Sequence, residues 1–245
     1  VSLVVVLETI RRHFAHLGYI AVLLILIVIV VLMTAIGAPP GAPYALIGLF
    51  TLVAGCQLIG PEFSSGTLQL ILSKPIGRSS YLTGRVAGVV LSIWVGVAII
   101  LCSDVIGRLI AGTPIVWRTV LWMALVSALK VLLTCSLLAL FGSFTRSYVN
   151  VGIYLGGQIL LSGIYGLLAI MKGAASGEMA AIGRLLRAHP GILEGYRVVE
   201  SNLFPDDPMT SFDRNWILMM TCNAVVAVLL ACVIFSRREV PYGAD

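Results

Sequence analysis

Six stretches of this chain are apolar for about twenty residues each, the length of helix that crosses a hydrocarbon core of about 30 Å. They run over Leu17–Ile36, Ala42–Ile59, Val86–Ala111, Val116–Phe141, Val149–Met171 and Trp216–Phe235. With 59% hydrophobic and 11% charged residues and a mean hydropathy of +1.04, the chain lacks the polar surface of a soluble domain. The expected fold is therefore all-α and polytopic, one transmembrane domain over residues 1–245. The net charge of +5 fits Lys and Arg flanking the spans beside anionic lipid, and does not call for nucleic acid.

The first apolar run is too long for a signal-peptide core and no small-x-small site follows it cleanly, so it is expected to stay in the mature protein. Ahead of it, Leu3, Val6, Leu7, Ile10 and Phe14 recur at helical spacing with Glu8, Arg11 and Arg12 between them. That pattern predicts an amphipathic helix over residues 1–16 lying in the interface; a ragged start to the first span is the plainer alternative. Cys56, Cys102, Cys135, Cys222 and Cys232 each fall in an apolar run, without CxxC spacing and apart from His13, His16 and His189. They read as small buried hydrophobes, with no metal site expected.

Between the second and third runs lies a polar, basic island punctuated by Gly and Pro, from Gly60 to Arg85. Leu68, Ile71 and Leu72 make a short apolar stripe, Pro75 ends any helix there, and Ser79 or Ser80 can cap the next one. The residues describe a short helix along the membrane surface with Glu62, Lys74 and Arg78 facing the cytosol. An ordinary loop with basic anchors accounts for them equally well.

Glu62-x-x-x-Gly66-Thr67-Leu68, then Leu72-Ser73-Lys74-Pro75, Arg78, and Tyr81-Leu82-x-Gly84-Arg85 resemble the loop after the second span in ABC-2 type permeases, the membrane subunits of ATP-driven transporters. Phe235-Ser236-Arg237-Arg238-Glu239-Val240 is similar to the basic end after the sixth span of that family, and Asn202-Leu203-Phe204-Pro205-Asp206 to the segment before it. The resemblance implies that residues 60–85 form a cytoplasmic coupling helix docking on a separate cytosolic ATPase, with Glu62, Gly66, Thr67, Lys74, Pro75 and Arg78 as docking and hinge residues. It also implies a second permease subunit, identical or different, and a bacterial or archaeal inner-membrane location. A P-loop needs a lysine after a glycine. The three lysines follow Ser73, Leu129 and Met171, so the chain is not expected to be an enzyme, and ATP and Mg belong on the partner.

Six spans place both termini on one side, and basic pairs directly at span ends favour the cytoplasm for it. Residues 172–215 are then an extracytoplasmic cap, where an extracytoplasmic partner could act. Asp104, Lys130, Gln158 and Asn223 are polar groups within spans, candidates for a translocation path. Asp104 has two candidate partners, Lys130 on the neighbouring span and Arg108 one turn along its own helix. Gly152, Gly156 and Gly163 let backbones approach closely, either in a dimer seam or within one subunit. Trp117, Trp122 and Trp216 fit interfacial anchoring. The chain thus reads as the permease of an ATP-driven transporter, an exporter by expectation. The alternatives are a subunit relaying ATPase motion to an outside partner and an ion-coupled secondary transporter, although no internal repeat supports the last.

Overall fold

The computed structural model describes residues 3–38, 42–56, 58, 77–145, 149–173, 182, 184–185, 188 and 214–237. All elements among these are helices: α1 (Leu3–Ala15), α2 (Leu17–Ala35), α3 (Ala42–Gly55), α4 (Arg78–Ile110), α5 (Trp117–Phe144), α6 (Val149–Gly173) and α7 (Arg214–Arg237). Five of them, α2 and α4 to α7, are long and apolar enough to cross a membrane. The second expected span differs: α3 has 14 residues, about 21 Å of helix, because it turns at Gly55 and Cys56 although the apolar run continues to Ile59.

The chain divides into two compact units. One comprises residues 1–151 and 208–245, and the other residues 152–207. Within the first, α4 is the central helix, packed by α1, α2, α3, α5 and α7. Tyr19 of α2 meets α4 at Ser92 and Thr34 meets it at Gly107, so α2 and α4 run parallel, with α3 returning between them. Trp94 of α4 donates to the Ala128 carbonyl of α5 at 3.1 Å, and Arg78 at the start of α4 reaches Ser236 at the end of α7, so α7 runs back toward the start of α4.

Lipid is as apolar as leucine, so helix association in a bilayer depends on close packing more than on hydrophobic burial. Glycines on α4 provide it. A Cβ at Gly88 would lie 2.6 Å from Thr9 Cβ, and one at Gly96 would lie 2.5 Å from the Phe50 ring. At Gly107 it would collide with Thr34 Oγ1. Together these glycines seat three helices on α4: α1 at Gly88, α3 with α2 at Gly96, and α2 again at Gly107. The hydroxyls buried along these contacts, Thr9, Thr34, Thr51, Ser92 and Ser136 among them, donate to carbonyls one turn back, which satisfies them without water. α2 and α4 each end at a glycine with positive φ (Gly37, 83°; Gly112, 66°), and Ala38 and Thr113 then donate back to Met33 and Arg108, closing the last turn as a left-handed cap.

The aromatic junction of the core is Tyr19, whose ring lies 5.3 Å from Phe50 and whose hydroxyl donates to the Ser92 carbonyl at 2.7 Å. Tyr19→Phe removes one interhelical hydrogen bond at unchanged shape. The expected cost is about 1 kcal/mol, a melting temperature lower by about 2–4 °C in detergent.

Four local expectations change. Helix α4 begins at Arg78, eight residues before the expected start at Val86, because Tyr81, Leu82 and Arg85 are buried in the protein. Its N-cap is Gly77 in extended conformation, without a side-chain cap, and Ser79 lies inside the first turn, where its carbonyl accepts from Thr83. The apolar stripe of α1 splits: Val6 is buried against α4, whereas Leu3 and Leu7 are exposed. Trp216 is buried in the protein, while Trp117 stays exposed as an anchor would.

Candidate functional site

The island is entered from α3 and left through α4, and both ends are held firmly. At the exit of α3, Leu58 is fully buried, and a Cβ at Gly55 would sit 2.8 Å from Leu138 of α5, so the chain leaves this helix pressed against its neighbour. At the return, Gly77 turns the chain into α4, and Arg78 Nη1 donates to the Ser236 carbonyl at 3.3 Å. An arginine on the last carbonyls of α7 also complements the negative end of that helix dipole. Tyr81 and Leu82 then enter the core shared with Phe235 of α7.

Helix α1 bridges these two ends. Thr9 is fully buried, and its Oγ1 accepts from Arg85 Nη1 of α4 at 3.2 Å. One turn later His13 reaches α3, with Nε2 at 3.2 Å from the Ala54 carbonyl and Nδ1 at 3.1 Å from the Thr9 carbonyl. The opposite face of α1 is exposed and carries the Glu8–Arg12 pair at 2.9 Å, whose hydrogen bond holds the Glu8 carboxyl below its usual range. Burial pushes the His13 imidazole below its ordinary value against the pull of its two carbonyls, and the positive charge of Arg85 adds to the push. Beside His13, a largely apolar cavity of about 170 Å³ opens between α1, α2 and α3. The arrangement is a mechanical frame around the island's base, in which α1, α3, α4 and α7 are cross-tied by side chains.

A family model described as ABC-2 family transporter protein matches residues 42–240, from α3 through α7. The chain belongs to the ABC-2 transporter family. It is a permease subunit of an ABC transporter, a multi-pass membrane component of a class that associates with an ABC ATPase. No curated protein matches the permease. Helices α1 and α2 precede the matched region, so the part of α1 in the frame rests on the structure alone.

Of the permease's expected coupling residues, Glu62, Gly66, Thr67, Lys74 and Pro75 lie outside the described residues. Arg78 is described, at the start of α4 against the end of α7. The intramembrane polar residues form no single described site. Asp104 is buried, and its Oδ2 accepts from Arg108 Nε at 3.0 Å while Oδ1 makes no hydrogen bond; of its two candidate partners, the intrahelical one is joined. Lys130 and Asn223 are half-buried on α5 and α7, and Gln158 is exposed on α6. In the second unit, a Cβ at Gly156 or Gly163 would meet nothing within 4 Å, and the same holds at Gly152 where α6 enters it.

Sequence reasoning missed Thr9, His13 and Arg85. Arg85 looked like a basic flank at a span end, yet only 7% of it is exposed. Thr9 and His13 carried a signal, two polar groups on the Val6 face of an otherwise apolar stripe. It pointed to a buried face on α1, without naming what covers that face.

Proposed function

We propose that this permease forms the translocation path of an ATP-driven exporter together with a second permease subunit, and that residues 60–78 are the docking element for a separate cytosolic ATPase, with Tyr81, Leu82 and Arg85, buried in α4, as its anchor. ATP and Mg are bound by that partner. The observation that carries the reading is the frame at the island's base: α3 leaves it pressed on α5, α4 returns to it tied to α7, and α1 spans both. A force applied to a flexible loop would dissipate in the loop. Applied between two helices so held, it moves the helices that flank a path. In this reading α3 completes a sixth crossing with the residues beside it, both termini face the cytoplasm, and residues 172–215 cap the outer side. The glycines of α6 are then free to meet the second subunit.

The test is retention of the ATPase on the affinity-tagged permease in membranes. Glu62→Lys, or deletion of Gly66 and Thr67, is expected to lower retention about tenfold while insertion stays normal, as charge reversal at a docking contact does. Full retention together with unchanged ATP hydrolysis in both variants overturns the docking assignment.

A further inference from the structure

The cavity between α1, α2 and α3 lies where the apolar spans meet the membrane boundary. Its walls are the first residues of α2, Gly18, Tyr19 and Val22, and the last turns of α3, Phe50, Val53 and Ala54. The polar groups of its interior are already engaged. The His13 ring nitrogens lie 3.1 and 3.2 Å from the Thr9 and Ala54 carbonyls, the Tyr19 hydroxyl donates to the Ser92 carbonyl, and Cys56 Sγ donates to the Val53 carbonyl at 2.9 Å. A trapped water needs about two to four polar partners, so this interior suits an apolar guest instead. The volume is about 170 Å³. An apolar cavity of about 150 Å³ takes up benzene, so about six carbons fit.

Of the lining residues His16, Gly18 and Val53 are exposed and mark the mouth. The His16 ring folds over Gly18, with Cε1 and Nδ1 both 3.1 Å from the place of a Cβ there. Arg11 and Arg12 are exposed in the turn before it, against a single acid in α1, Glu8. A basic mouth over an apolar interior matches the two ends of a phospholipid with an anionic head. We propose that this cavity is a lipid site: it takes the first carbons of one acyl chain of an anionic phospholipid, whose phosphate lies outside against His16 and the arginines of α1. The chain restores packing contacts that Tyr19 and Phe50 would forfeit beside a void, and it joins α1 to the last turns of α3. The site stands on its own geometry and does not depend on the docking role of the island.

Photolabelling of the full permease in lipid nanodiscs tests the site. The probe is phosphatidylglycerol with a diazirine close to the ester on one acyl chain, and labelled residues are mapped by mass spectrometry. Tyr19 and Phe50 are 5% and 1% exposed, so a lipid that only coats the surface does not reach them. Ile20, next to Tyr19 on α2 and 38% exposed, is the control at the same depth. All three are expected to be labelled in the unaltered protein. In Val22→Phe, which fills the cavity, label at Tyr19 and Phe50 relative to Ile20 is expected to fall about tenfold. Val53→Phe, which closes the mouth, is expected to do the same, and it decides alone should Val22→Phe fail to insert. A phosphatidylcholine probe with the same chain is expected to label the pair about fivefold less, since its head carries no net charge. Label confined to Ile20, or undiminished at Tyr19 and Phe50 in the filled variants, overturns the site. Equal labelling by the two probes overturns its anionic head.

Discussion

Gly96→Leu is expected to destabilise the permease by about 3 kcal/mol, a fall in melting temperature of about 6–12 °C in detergent. The first added carbon already lies 2.5 Å from two atoms of the Phe50 ring and 2.9 Å from the Tyr19 hydroxyl. Phe50 is 1% exposed within the core cluster, and Tyr19 is fixed by its hydrogen bond to Ser92. Moving α4 outward instead would break its contact with α2 and α3 together. Phe50→Leu in the same chain is expected to recover part of the loss, because it removes the ring atoms in collision. Gly156→Leu is the control: a Cβ there meets nothing within 4 Å, so chain stability is expected to change by less than about 0.5 kcal/mol. If α6 forms the seam with a second subunit, that variant instead lowers the dimer fraction in size-exclusion chromatography.

These two glycines mark how far the sequence could be read. The fifth apolar run advertises its glycines, with Gly152 and Gly156 at the spacing known for close helix pairs. The close approaches lie instead on α4, at Gly88, Gly96 and Gly107, eight and eleven residues apart. No single-partner motif has that spacing, because the three glycines between them receive α1, α2 and α3. Which helix lies opposite is decided by contacts across long stretches of sequence, such as Thr9 with Arg85 or His13 with Ala54, and composition does not carry those.

The long spans were legible because lipid leaves an apolar run little choice but helix. Their ends were not. Helix α4 starts at Arg78 since Tyr81, Leu82 and Arg85 are covered by neighbours, which hides a polar stretch that would otherwise end at the membrane surface. Helix α3 stops at Gly55 although Leu58 and Ile59 continue the run, because the chain must turn toward the island. The family was legible in the island's motif, and the frame at the island's base emerges only from the fold.

Arg108→Leu is expected to cost about 3 kcal/mol, because it strands the Asp104 carboxylate inside α4. The Asp104 side chain is 3% exposed and that of Arg108 17%, so the partner that faces outward is the one removed. Breaking a buried pair on one side costs about 3–5 kcal/mol; the lower end applies because Arg108 lies in the last turn of α4, where water can reach the site. Asp104→Leu alone costs less, since the arginine left behind can extend toward the interface. Replacing both residues by leucine is expected to restore stability to that of the unaltered chain or above it, because replacing a buried ion pair by well-packed apolar residues is often neutral or stabilising by about 1–4 kcal/mol. The double-mutant cycle read by thermal unfolding in detergent also separates the two candidate partners of Asp104. With Nε of Arg108 at 3.0 Å, the coupling to Arg108 is expected to exceed that to Lys130, and the reverse order would move the partner to α5.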